Sequence, residues 1–137
     1  MPDDITISEI RVIEWGDQVT APTDATLAVG DACRQDVTDG QLTGANGTDG
    51  TEDEYFGLVV SVDAGQVATA AGAGSLVTLG TALASVNYSS ILYLSDTDKK
   101  LSPTSGDSAT TRIFGYVEAV RNQGTVYKAL RIRRRLT

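Results

Sequence analysis

The sequence predicts an all-β protein, a single small barrel or sandwich of short antiparallel strands with an extended N-terminal arm. Alternating or β-branched stretches recur about every 8–12 residues, with Gly, Asn and Asp between them. No stretch shows the apolar period of a helix of normal length. The 137 residues suit one domain, and no linker divides them. We therefore expect an arm over residues 1–10 and one β domain over residues 11–137.

The N-terminal third combines an alternating segment with short strands. Ile5, Ile7 and Ile10 lie in the alternating segment, which is typical of a strand in the protein's own sheet. The same pattern is typical of an arm that adds a strand to a neighbouring molecule, and the residues alone leave both interpretations open. The predicted strands of this part are residues 10–15, 18–20 and 29–33.

The strongest strand of the sequence spans residues 55–62, YFGLVVSV. Gly57 stands among bulky neighbours, which predicts a bulge or a close backbone approach. The preceding residues 38–54 are rich in Gly and acids, so we expect a long exposed loop or hairpin end there. Alternation places four apolar side chains of the strand on one face: Phe56, Leu58, Val60 and Val62.

The pattern of the C-terminal half predicts a series of hairpins. Strands at 66–70 and 76–79 precede residues 81–86, the one stretch suited to a short helical turn. Two hairpins follow, and Asn122-Gln-Gly124 forms the turn of the second. The paired segments are residues 91–94 with 99–102, and residues 112–121 with 125–133.

Composition argues against catalysis. The chain has no His, which removes the commonest general base and transition-metal ligand, and its one Cys allows neither an internal disulfide nor a thiolate zinc site. Cys33 is expected to be a small buried residue. The acids stand mainly in predicted turns, where Asp caps backbone N–H groups. We therefore expect no enzyme, no catalytic residue, no cofactor and no metal site.

Two acidic segments offer oxygen ligands for calcium, residues 49–54 and 96–98. Neither follows the twelve-residue calcium loop, so turn formation or a solvated acidic loop is the favoured interpretation.

Charge is spread unevenly along the chain. The net charge is −7, yet residues 112–137 hold seven bases against one acid. A basic terminal strand beside acidic loops of its own molecule would explain this, and so would contact with an acidic neighbour. Because the net charge is negative, we expect no nucleic-acid partner. No apolar run approaches the roughly 20 residues of a membrane span, and no signal region begins the chain, so we expect no membrane partner.

Three segments carry a family resemblance: LAVGDACRQDVTDGQL, EYFGLVVSVDAGQVATAAGAG and ILYLSDTDKKLSPTSGDSATTRIFGYVEA, which begin at residues 27, 54 and 91. The first two resemble tailed-phage capsid decoration proteins, also called cement or head-stabilising proteins, and the third resembles a segment common in virion proteins of tailed phages. The resemblance implies a structural protein, made in the host cytoplasm, that binds the outside of the expanded head and stabilises it. The implied partners are the major capsid protein and other copies of the chain, as a homotrimer. A tail or fibre module and a free ligand-binding β-barrel are the alternatives.

Contacts to such partners are expected at the two ends of the chain. The N-terminal segment offers an apolar strand, Trp15 offers an aromatic anchor, and the C-terminal strand offers a row of cations on one face. The predicted interface residues are Ile5, Ile7, Ile10, Trp15, Arg131, Arg133 and Arg135.

Overall fold

The computed structural model describes residues 4–23, 27–47, 52–63, 66–104 and 113–133. These residues form two antiparallel β-sheets that pack across a shared apolar core. The predicted all-β class is confirmed, and the architecture is a small sandwich. No helix occurs within these ranges.

The chain forms the first strand of one sheet, then the whole of the second sheet, and then returns to complete the first. The six-stranded sheet has the order β1 (Arg11–Glu14), β7 (Leu76–Thr78), β11 (Thr125–Ile132), β10 (Ile113–Asn122), β8 (Ile91–Leu94) and β9 (Leu101–Ser102). The five-stranded sheet has the order β2 (Gln18–Pro22), β6 (Val67–Ala71), β5 (Gly57–Asp63), β3 (Ala32–Gln35) and β4 (Leu42–Gly44).

The main core lies between the sheets. Leu58 from the five-stranded sheet and Leu92 and Leu130 from the six-stranded sheet are fully buried in it. Because side chains alternate along β5, the neighbouring Val59 points to the opposite face and joins a second, smaller cluster there. The five-stranded sheet is therefore packed on both faces, and most of its side chains contribute to stability rather than to a free surface.

Tyr55 connects the two sheets immediately before β5. Its ring packs against Phe114 with the ring centroids 4.4 Å apart. Its hydroxyl oxygen lies 2.8 Å from the Ile113 carbonyl oxygen and 2.9 Å from that of Arg133. One residue therefore holds the start of β10 and the end of β11 against the opposite sheet.

The extended N-terminal arm is not confirmed. Ile5 is only 8% exposed, and its N–H donates to the Leu101 carbonyl at 2.9 Å beside β9. Ile7 and Ile10 pack against the same main core. Residues 4–10 thus lie along their own domain, because Ile5 is buried there and Ile7 and Ile10 are partly buried. Residues 1–3 lie outside the described ranges.

Part of the loop expected at residues 38–54 is a buried strand. β4 pairs with β3, and Leu42 is fully buried. The chain then docks onto the turn after β8, where the Lys99 N–H donates to the Ala45 carbonyl at 2.8 Å and the Gly47 N–H to the Ser95 carbonyl at 2.8 Å. These partners are far away in sequence, so composition alone indicated a solvated loop.

Two other local predictions differ from the structure. Residues 81–86 form successive hydrogen-bonded turns and no helix. Phe56 and Leu58 pack into different clusters because β5 begins only at Gly57, so Phe56 is outside the strand alternation. The close approach predicted at Gly57 is present, since a Cβ there would clash with the Ala71 carbonyl oxygen.

Candidate interaction surface

A β-hairpin projects from one end of the six-stranded sheet. The β10–β11 ladder continues to the pair Asn122 and Thr125, but β8 reaches β10 only as far as Tyr116. β7 covers β11 only at Leu130 and Arg131. The outer half of the hairpin is therefore a two-stranded ribbon whose backbone edges are not covered by other strands of the described structure.

A two-residue turn closes this hairpin. Gln123 and Gly124 both have positive φ, 52° and 84°. That combination is typical of a type I′ turn, whose twist matches the twist of paired strands. The turn confirms the hairpin that the sequence predicted at Asn122-Gln-Gly124 and explains why the ladder runs without a break to its tip.

The aromatic patch, defined as Tyr88, Ile91 and Tyr116, lies beside this hairpin. Ile91 and Tyr116 are cross-strand partners and therefore share a face of the sheet. They are 40% and 38% exposed, and Tyr88 is 43% exposed. All three line a shallow groove of about 550 Å³ together with Ile113 and Arg133. Exposed aromatic side chains in a cluster are typical of contact surfaces.

The hairpin groove is a larger depression on the other side of the hairpin, about 980 Å³ in volume. Residues 9–13 form one wall, and β11 with the hairpin tip forms the other. Tyr88 borders both grooves, and the Lys128 ammonium lies 5.5 Å from its ring centroid. A cation over an aromatic face is favourable and holds both side chains in place.

Arg131 pairs with acids of its own molecule. Its guanidinium forms two hydrogen bonds of 3.1 Å with the Glu118 carboxylate and one of 3.0 Å with Glu14. It also donates to the Gly74 carbonyl at 3.0 Å. The hydrogen bond to Glu118 is the main cause that raises the pKa of Arg131. This network ties β11 to β10 and β1, so Arg131 has partners without a neighbouring molecule.

The other predicted interface residues are dispersed. Trp15 follows β1 and is 49% exposed, so its side chain is accessible to a partner molecule. The Arg133 N–H donates to the Phe114 carbonyl at 2.9 Å, and Arg133 borders the aromatic patch. Arg135 lies outside the described ranges. Ile5, Ile7 and Ile10 are engaged with the core, so their described positions do not form a free apolar arm.

Sequence reasoning missed the aromatic patch. Tyr116 follows the buried Phe114 by two residues on β10, so the usual alternation of side chains would place Tyr116 in the core with Phe114. In the structure Tyr116 lies on the exposed face instead. The register shift between Ile113 and Gly115 explains this discrepancy. No sequence signal marks Tyr88, which stands in a turn-rich segment.

The described residues show no metal-ligating constellation and no helix that is long and apolar enough to cross a membrane. In the acidic segment at 96–98, Asp98 accepts a hydrogen bond from the Asn46 side chain at 3.1 Å. Residues 49–51 of the other segment lie outside the described ranges. No family model, curated protein or solved structure matches this chain.

Proposed function

We propose that this protein is a virion structural protein that decorates the outside of the expanded head of a tailed phage and stabilises its lattice. The observation that carries the proposal is the aromatic patch, because it is an apolar contact surface on a well-packed β-sandwich. The resemblance of the segments that begin at residues 27, 54 and 91 to decoration and other virion proteins of tailed phages supports the same assignment. The partners are then the major capsid protein and further copies of this chain, arranged as a homotrimer.

The exposed apolar side chains are concentrated on the six-stranded sheet, where Ile91 and Tyr116 share one face and Val126 lies on the other. Most of the large ones belong to the six-stranded sheet or to its adjoining segments: Ile13, Trp15, Tyr88, Ile91, Tyr116 and Val126. The opposite sheet is packed on both faces and exposes fewer of them. Binding through the face that carries the aromatic patch leaves the rest of the acidic surface toward water.

Stabilisation then follows from mass action. A protein that binds the expanded lattice and not the free subunits adds its binding free energy to the assembled state at every site. If one copy or one trimer contacts several capsid subunits, simultaneous contacts increase the apparent affinity without any new kind of interaction. No chemical step is required of the decorating protein.

Co-sedimentation of the purified protein with expanded and unexpanded heads tests the proposal. We expect saturable binding to expanded heads, and a double variant Tyr116→Ala/Ile91→Ala should bind at least about tenfold more weakly, since each buried anchor contributes about 1–2 kcal/mol. Val37→Ala is the matched control because Val37 is 90% exposed and lies between β3 and β4 on the other sheet. Absence of wild-type binding to heads, or equal loss in both variants, contradicts the proposal.

A further inference from the structure

The hairpin groove is a gap in the six-stranded sheet. β7 separates β1 from β11, but it is only three residues long, and the chain leaves the sheet at Gly80, where φ is 60°. Residues 9–10 and the first half of β11 continue along the two sides of the space beyond β7. Strands on either side of a third strand stand about 9.5 Å apart, a spacing that suits one extended strand, and residues 80–84 of the chain border the same space.

The edge of β11 that borders this gap has free backbone groups. The Ile132 N–H donates to Ser75 and its carbonyl accepts from Gly74, so the backbone of Ile132 faces the β7 side. Backbone groups alternate in direction along a strand, which places those of Lys128 and Val126 on the same side. In the part of the chain that the structure describes, nothing pairs with them there.

The walls of the gap are positively charged although the protein is acidic overall. Arg11, Arg121 and Lys128 line it, with Glu9 as the opposing charge. The Lys128 ammonium donates to the carbonyls of Leu83 and Ala84, at 3.3 and 3.2 Å. Within the described ranges none of the three cations forms an ion pair with a carboxylate. The gap therefore offers donors and acceptors for a backbone together with positive charge for acidic side chains.

We propose that this gap accepts an extended acidic segment of a partner protein, which adds a strand to the free edge of β11 at Val126 and Lys128. The inference rests on the proposed function for the identity of that partner, which is then the capsid subunit that the protein decorates. Main-chain hydrogen bonds supply affinity in strand addition, and the side chains around the edge supply specificity. Here the specificity is for carboxylates, because Arg11 and Arg121 lie on opposite walls of the gap.

The test uses the isolated protein and a seven-residue peptide of alternating Glu and Val with blocked ends. We expect amide resonances of the β11 edge to shift in NMR spectra, and the Val126 and Lys128 amides to exchange about tenfold or more slowly with peptide bound. A peptide with Lys in place of Glu should not bind, and the double variant Arg11→Glu/Arg121→Glu should lose the acidic peptide.

A pair of proline variants separates strand addition from simple charge attraction. Val126→Pro removes the N–H that faces the gap, whereas Ala119→Pro removes one on the opposite edge of the same hairpin. The backbone of Val117 forms hydrogen bonds with residues 89 and 90 at that opposite edge. The backbone of Ala119, two residues later, therefore faces the same edge. We expect Val126→Pro to abolish peptide binding and Ala119→Pro to preserve it, while both keep the ladder between β10 and β11.

The other results of the peptide and proline experiments also bear directly on strand addition. Equal binding by the two proline variants, or no binding of the acidic peptide, overturns the inference. If the Val126 amide is protected from exchange without peptide, and this protection rises with protein concentration, the edge pairs with a second copy of the chain. That result also overturns the inference. Binding of the peptide without binding of the protein to heads leaves the strand-accepting gap established and refutes head decoration.

Discussion

Cys33 shows how a single position is determined by its surroundings. It is fully buried in β3, opposite Gly57 of β5, in the smaller cluster. Burial is the main cause that raises the pKa of Cys33 from 9.0 to about 12. A thiol that stays protonated and enclosed is a packing group rather than a nucleophile, as the sequence predicted.

The raised pKa of Cys33 predicts a loss of stability at alkaline pH. The folded-state pKa is higher than the unfolded one, so the contribution of the neutral thiol is complete below about pH 9 and is lost as the pH rises toward 12. In that window the free energy of unfolding should fall with pH more steeply in the wild type than in Cys33→Ala. The difference between the two slopes should be up to about 1.4 kcal/mol per pH unit. Urea unfolding at pH 8 and pH 10.5 measures this difference, and identical pH slopes would contradict the account.

Tyr55 predicts a second effect at the residue scale. Tyr55→Phe keeps the ring contact with Phe114 and removes the hydroxyl that bonds the backbone at Ile113 and Arg133. Loss of such a hydrogen bond should lower the free energy of unfolding by about 1–2 kcal/mol. The control is Tyr93→Phe, at a half-buried position of β8. This variant should change the free energy of unfolding by less than about 0.5 kcal/mol. Thermal unfolding of both variants checks this, and equal effects would show that the hydroxyl of Tyr55 is not a link between sheets.

At the scale of elements, the hairpin of β10 and β11 was predictable and the N-terminal segment was not. The turn residues at 122–124 fix the hairpin locally, so its ladder follows from short-range chemistry. The alternation of Ile5, Ile7 and Ile10 indicates an apolar strand face without saying which molecule buries it. The structure buries it in the chain's own core through contacts with β9, which no local pattern specifies.

The burial of β4 and the position of the aromatic patch escaped prediction for a similar reason. β4 lies in a Gly-rich, acidic stretch, and its Leu42 becomes buried because it packs with side chains of the neighbouring strands in the smaller cluster. The patch depends on a register shift between β8 and β10, which changes the face on which Tyr116 lies. Alternation within one strand therefore predicted the fold class, whereas pairing between strands determined the candidate surface.

The turn of the hairpin gives a prediction at this scale. Gly124 has φ of 84°, and a Cβ there would meet nothing within 4 Å, so Gly124→Ala should cost about 1 kcal/mol through backbone strain alone. Gln123→Asn should instead stabilise the protein by a few tenths of a kcal/mol, because Asn-Gly is the favoured type I′ pair. Unfolding midpoints in urea compare the two, and a neutral Gly124→Ala variant would contradict the turn assignment.

At the scale of the whole molecule, the two sheets have different roles. The five-stranded sheet is packed on both faces, whereas the six-stranded sheet presents the aromatic patch and the free edge of its projecting hairpin. Arg131 pairs with Glu14 and Glu118, so much of the local charge is neutralised within the sheet. A surface with a rigid apolar patch suits repeated contact with a fixed lattice, which is the central claim of the proposed function.

Electron cryomicroscopy of purified phage particles from the source of this protein tests that claim most directly. We expect density for the sandwich at regular positions over the outer surface of the expanded head, with the six-stranded sheet toward the capsid subunits. Density confined to the tail or its fibres, or particles that lack the protein altogether, would contradict it.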